Sequence, residues 1–161
     1  MTCTSCGTEM KTARENFRYD ACGLPGLTLV NVEVSRCPQC GEYEVAIPAI
    51  EDLHRAIAGA IVAKRTRLTP AEVRFLRKLL GWSGTDFAER IGVTPETVSR
   101  WETGAAPIGP TADRLLRLMV AFTRPIEKYS LDTLKEVAQE EPAPLRLGLR
   151  ADERGWHAEA A

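Results

Sequence analysis

The chain has 161 residues, 44% of them hydrophobic and 27% charged, with a formal net charge of −1. That composition is ordinary for a globular protein with room for one or two domains, and the longest apolar runs are far too short to span a bilayer. The charge is unevenly placed: residues 49–125 hold 12 basic and 8 acidic side chains, residues 1–48 hold 4 and 6, and residues 126–161 hold 5 and 8.

The chain starts MTCTSCG, which has neither a basic region nor an apolar core, so a cytoplasmic location is expected. Four of the five cysteines form two matching knuckles, Cys3-Thr-Ser-Cys6-Gly7 and Cys37-Pro-Gln-Cys40-Gly41. Two cysteines two residues apart present both sulfurs to one ion, and the glycine that follows permits the tight turn. Together they supply the four thiolates of one closed, structural Zn2+ site. A redox pair would need a βαβ context that this stretch lacks. The segment between Cys6 and Cys37 is expected to be β-structure. It offers a short strand at Phe17 to Tyr19, a turn at Cys22 to Gly26, and an alternating strand at Leu27 to Val34. The alternation changes side near Leu29 and Val30, which predicts a bulge there. Tyr43 to Ile47 reads as a last strand. Residues 1–48 are therefore taken as a zinc-binding module, too small to fold without a staple such as the metal. Cys22 is left over as a free thiol.

Residues 49–68 read as a linker helix and a basic hinge. Ile50, Leu53, Ile57 and Ile61 recur at helical spacing, and Lys64-Arg65-Thr66-Arg67 follows, either as a solvated basic hinge or as a flexible linker that faces DNA. His54 lies beside the apolar stripe, in a packing role. Thr69-Pro70-Ala71-Glu72 is a helix start, and Val73, Leu76, Leu79 and Leu80 form that helix's core face.

Residues 81–104 then read GWSGTDFAERIGVTPETVSRWETG. Ser83 caps one short helix with Asp86 reaching back; Gly92 ends it. Thr94 caps a second, Pro95 opens it and Gly104 closes it. Two short helices about so tight a turn are a helix-turn-helix. In the second helix Val98 and Trp101 share an inward face, while Glu96, Ser99, Arg100 and Thr103 point the other way. A face so free of apolar residues suits the major groove of double-stranded DNA. Arg100 can pair with guanine and Glu96 with the amino group of cytosine. Ser83, Thr85, Thr97, Ser99 and Thr103 suit phosphates or base edges. The basic excess of residues 49–125 agrees with this. Its modest size predicts that a homodimer is needed for tight binding.

Pro110 opens another helix, striped with Leu115, Leu118, Met119 and Phe122 and ended by Pro125. Residues 69–125 form the DNA-binding domain on this reading. Ser130 is expected to cap one more helix, about Leu131 to Gln139. The remainder of 126–161, from Glu140, is expected to be a poorly ordered tail, although Leu145, Leu147 and Leu149 alternate as in a strand. The fold class is α+β: a small β-rich four-cysteine module followed by an all-α helix-turn-helix bundle. There is no Ser/His/Asp set, no phosphate-cradling glycine loop, and His54 and His157 are the only histidines, so an enzyme is not expected.

The string Ser99-Arg100-Trp101-Glu102-Thr103-Gly104 resembles the end of the recognition helix in Cro/C1-type (Xre) domains. Gly84 stands where that family often has Gln, a phosphate contact that Thr85 would replace. With the two knuckles, residues 1–125 resemble the MqsA-type antitoxins and their YgiT-type zinc-finger relatives. The resemblance implies a toxin gripped by the zinc module and a dimer that binds a palindromic operator and represses its own operon. That family reads DNA with an Asn and an Arg; Arg100 matches the Arg, and Glu96 takes the place of the Asn. A second reading is a stand-alone regulator without a toxin, responsive to oxidant or metal through Cys22 and the knuckle thiolates.

Overall fold

The computed structural model describes residues 1–123 and 136–159. Among these residues ten elements follow in chain order: β1 (Lys11–Arg18), β2 (Leu27–Arg36), β3 (Tyr43–Val45), α1 (Ile50–Ala63), α2 (Pro70–Leu79), α3 (Gly84–Ile91), α4 (Pro95–Thr103), α5 (Pro110–Thr123), β4 (Leu147–Asp152) and β5 (Gly155–Glu159). The fold is α+β, with the β-rich region first and the helices after it.

The long strand β2 organises a five-stranded sheet. It pairs antiparallel with β1 and β3 and parallel with β4, which in turn pairs antiparallel with β5. The anticipated bulge is present. Glu15 faces Val32 and Phe17 faces Leu29, so β2 holds one residue more than β1 between these pairs. Asn31 absorbs the kink at φ 55, and its N–H donates to Asn16 Oδ1 at 3.0 Å. Asn tolerates this left-handed conformation better than a branched residue would. The result puts Leu27, Leu29, Val32 and Val34 on one buried side despite the broken alternation.

β1 is longer than the Phe17 to Tyr19 strand that the sequence suggests. Its KTARENFR is mostly exposed, as an edge strand's face is, and carries no apolar alternation to reveal it. β3 stops at Val45, short of Ile47.

α1 is a core helix rather than a linker. Leu53, Ile57 and Ile61 are fully buried in a cluster that runs from Tyr19 and Leu27 of the β region to Leu116 and Val120 of α5. Ile50, assigned above to the same stripe, is 47% exposed because it sits at the helix entrance. The basic hinge is likewise corrected. Lys64 Nζ pairs with Glu72 Oε2 at 2.6 Å, the Arg67 N–H donates to Glu140 O, and the Ala138 N–H donates to Arg65 O. These bonds pin the segment that charge alone marks as solvated.

The tail is the largest correction. Residues 147–159 form the β4–β5 hairpin against β2; Leu147 and Leu149 of the expected alternation lie in β4, and Leu145 precedes it. Leu149 is fully buried, and the buried Trp156 donates its indole N–H to Pro48 O at 2.8 Å. A parallel partner 120 residues away gives no local sequence signal. The helix expected from Ser130 lies outside the described residues up to 135, and so does Pro125; residues 136–139 form turns and an irregular stretch rather than helix.

A buried charge network ties the helices together. Arg117 and Asp113 have no solvent-exposed side-chain surface and pair at 2.6 Å. The Arg117 guanidinium donates to the carbonyls of Ile61, Val62, Lys64 and Thr66, so it caps α1 from α5. Asp113 Oδ2 accepts from the Leu68 N–H at 2.7 Å. Both fully buried charges, Arg117 and Asp113, are hydrogen-bonded, as burial demands.

Candidate metal centre and nucleic-acid interface

The two knuckles adopt the same geometry. Gly7 (φ 73) donates to Cys3 O, and Gly41 (φ 76) donates to Cys37 O. Across the loop the Cys3 N–H reaches Thr8 O and the Cys37 N–H reaches Glu42 O. The left-handed turn is what a glycine permits, and it folds each cysteine pair to one side.

β1 and β2 then bring the two pairs together. Cys3 Sγ lies 3.6 Å from Cys40 Sγ, Cys6 Sγ lies 3.4 Å from Cys37 Sγ, and all four sulfurs fall within 4.8 Å of one another. These separations are too long for disulfides. A tetrahedron of sulfurs about 2.3 Å from one ion has edges of about 3.8 Å, which the cluster approaches. The donor set and spacing thus fit one metal ion of the thiolate-preferring kind, zinc foremost. Cys3 and Cys37 are buried with Met10, whereas Cys6 and Cys40 face solvent. Hydrogen bonding with the side chain and backbone of Thr8 holds the Cys6 thiol down to about 6. Against the pull of the Glu42 amide, hydrogen bonding to Cys37, Cys6 and Cys3 pushes Cys40 up to about 12.

The second candidate site lies on α3 and α4. Both expected caps are made. Ser83 Oγ accepts from the Asp86 N–H at 3.0 Å while Asp86 Oδ2 accepts from the Ser83 N–H at 2.8 Å. Thr94 Oγ1 accepts from the Thr97 N–H at 3.2 Å. Gly92 and Gly104 end the two helices in the left-handed conformation. Inside the angle, Phe87, Ala88, Val98 and Trp101 are buried, and Phe87 packs against Trp82 and Trp101.

The outer face of α4 exposes Glu96, Ser99, Arg100 and Thr103, with Thr97 half-buried at its edge. Arg100 makes no side-chain hydrogen bond or ion pair among the described residues. Thr103 Oγ1 donates to Ser99 O at 2.9 Å, so its proton is already used within the helix. Thr85 is exposed at the start of α3, beside the capped Ser83.

Two features escaped the sequence reading. Arg77 of α2 grips the Glu102 carboxylate through Nε at 2.5 Å and Nη2 at 3.0 Å, and its Nη1 donates to Trp82 O at 2.7 Å. One guanidinium therefore fixes both the last turn of α4 and the approach to α3. Arg90 lies over the Trp82 ring, 4.6 Å from its centre. These partners are far apart in the chain or on different helices, so no spacing rule marks them. A Glu at the end of a recognition helix with a buried Trp before it is the only hint.

No helix of the described residues is long and apolar enough to cross a membrane. A family model described as helix-turn-helix matches residues 73–129. No curated protein matches the chain. The matched segment contains most of α2 and all of α3, α4 and α5, and it is the domain of a DNA-binding transcriptional regulator. With four clustered cysteines in a β-rich region ahead of an Xre-type helix-turn-helix, the chain fits an MqsA-like zinc finger plus helix-turn-helix.

Proposed function

We propose that the protein is a dimeric, zinc-containing repressor that binds a palindromic operator, and that it serves as the antitoxin of a toxin–antitoxin pair and represses its own operon. The observation that carries the DNA part is the free Arg100 guanidinium on the polar face of α4, held in place by the buried Trp101 and Val98. Arg100 reads a base edge, Glu96 and Ser99 lie beside it, and Thr85 and Thr97 meet the backbone phosphates; the hydroxyl protons of Thr103 and Ser83 are held by Ser99 O and Asp86 Oδ2, so these two do not donate to the DNA. One Zn2+ on Cys3, Cys6, Cys37 and Cys40 is structural: four protein sulfurs leave no position for a substrate.

A second copy is supported by α5. Leu115, Leu118 and Met119 are half-exposed there and Phe122 is 75% exposed, an apolar stripe that is costly in water. The toxin rests on the family resemblance, with the zinc module as the gripping part. The protein acts by binding rather than by catalysis. Burial pushes the Cys22 thiol up, which makes it a poor oxidant sensor and weakens the stand-alone redox reading.

Fluorescence anisotropy with the DNA upstream of the protein's own reading frame tests the operator part. Arg100→Ala is expected to cost about 1–3 kcal/mol at one base position in each half-site, with binding that weakens steeply with salt. Equal affinity of Arg100→Ala and the parent for every operator variant would refute the assigned face. Purification from native cells tests the partner and the metal: a small co-purifying protein with one zinc per chain is expected. A chain that emerges alone would refute the antitoxin assignment.

A further inference from the structure

A cavity of about 730 Å³ opens between the Ala21–Gly23 turn, the first turns of α1, one face of α2 and the end of α4. That volume lies in the range of small-molecule sites. Neither the metal cluster nor the outer face of α4 uses it. Its inner wall is apolar and shaped: the buried Phe75 meets the His54 ring edge-on at 5.8 Å, and His54 is fixed in turn by the buried Tyr19 hydroxyl at 3.1 Å. Half-buried Cys22 and Leu79 extend that wall.

The rim is charged in an uneven way. Arg74 and Lys78 stand one turn apart on α2, both lining the cavity. Like charges at that spacing repel, a cost that an anion between them would remove. Lys78 has no side-chain partner among the described residues. Arg74 has a loose one: its Nη2 donates to Glu102 O at 3.2 Å and its Nε lies 3.5 Å from Glu102 Oε2. Glu102 itself is satisfied by Arg77. Glu51 and Glu102 also line the cavity, so a ligand with several negative charges is disfavoured.

We propose that this cavity binds a small organic monocarboxylate with an apolar body, its carboxylate between Arg74 and Lys78 and its body against Phe75 and His54, and that binding alters DNA affinity through Glu102. The route is short. A carboxylate that recruits Arg74 draws it from the last turn of α4, the helix that carries Arg100. The coupling half of the proposal rests on the DNA-binding reading above; the site itself does not. By linkage, DNA must change ligand affinity by the same factor that the ligand changes DNA affinity.

The test uses the full zinc-loaded chain with benzoate, octanoate and indole-3-acetate as probes. Trypsin releases Cys22 as the only cysteine of the peptide Tyr19 to Arg36, so alkylation by iodoacetamide reports this wall alone. A probe that binds is expected to slow Cys22 alkylation saturably, and to do so without DNA. Arg74→Gln with Lys78→Gln, both exposed positions, should leave the melting temperature unchanged and weaken protection roughly tenfold or more. Glu51→Gln should strengthen it. In the DNA arm, a saturating probe should shift operator affinity by about fivefold to about a hundredfold in the parent and not in the double variant. Absence of protection by all three probes, or protection that survives the double variant, would overturn the site. Protection with unchanged operator affinity would overturn the coupling alone. A protein that binds no DNA but is still protected would overturn the DNA reading and leave the site standing.

Discussion

Replacing Arg117 by Met removes a fully buried guanidinium that serves two partners at once. One is Asp113, also fully buried, which would keep the hydrogen bond from the Leu68 N–H but lose its paired charge. The other is the end of α1, where the carbonyls of Ile61, Val62, Lys64 and Thr66 would lose their shared donor. Breaking a buried ion pair from one side costs about 3–5 kcal/mol, because the surviving charge is left uncompensated. Domains of this kind hold only about 5–15 kcal/mol in total, so the loss would consume about a fifth of it or more. Adding Asp113→Leu to Arg117→Met removes the stranded charge and should recover part of the loss. It will not recover all of it, since the α1 carbonyls and the Leu68 N–H stay unpaired at about 1–3 kcal/mol per group that water cannot reach. Urea unfolding followed by both far-UV circular dichroism and tryptophan fluorescence measures this, with coincident transitions as the check on two-state behaviour. A single variant within about 1 kcal/mol of the parent, or strictly additive costs for the two substitutions, would refute the network as described.

Three further outcomes are expected. Cys37→Ser removes a buried member of the four-sulfur cluster, so metal analysis should show loss of the bound ion and proteolysis should attack residues 1–48 first; full metal occupancy in this variant would contradict the assigned ligand set. Trp156→Ala should destabilise the protein by about 3–5 kcal/mol, as for other buried aromatics, and a cost below about 1 kcal/mol would mean that the β4–β5 hairpin is dispensable. Burial holds His54 below its ordinary range, so below about pH 6.5 the unfolded chain takes up this proton more readily than the folded one. Stability should therefore fall as pH drops from about 6.5 toward the folded value. His54→Phe should flatten that slope in melting temperature, and an unchanged slope would clear His54 of the effect.

Local grammar made much of this protein legible. The capping pairs Thr69 with Glu72 and Ser83 with Asp86, the stop signals Gly92 and Gly104, and the two knuckle glycines each act within a few residues of themselves. Backbone dihedrals and short-range hydrogen bonds decide such features, so sequence spacing determines them. The β2 bulge was legible for the same reason, because the break in alternation sits in the strand that carries it.

Only the tertiary structure decided the rest. That Lys64 is pinned, that Arg77 holds Glu102, and that the 147–159 stretch is a hairpin rather than a loose tail all depend on partners supplied from distant parts of the chain. Glu72 shows the limit most clearly. Its place in a capping box follows from the sequence, yet the same carboxylate also accepts from Lys64 and from the Leu145 N–H. A charge reads as solvated until the fold excludes water from it, and which charges are then paired is settled by packing geometry that no local pattern encodes.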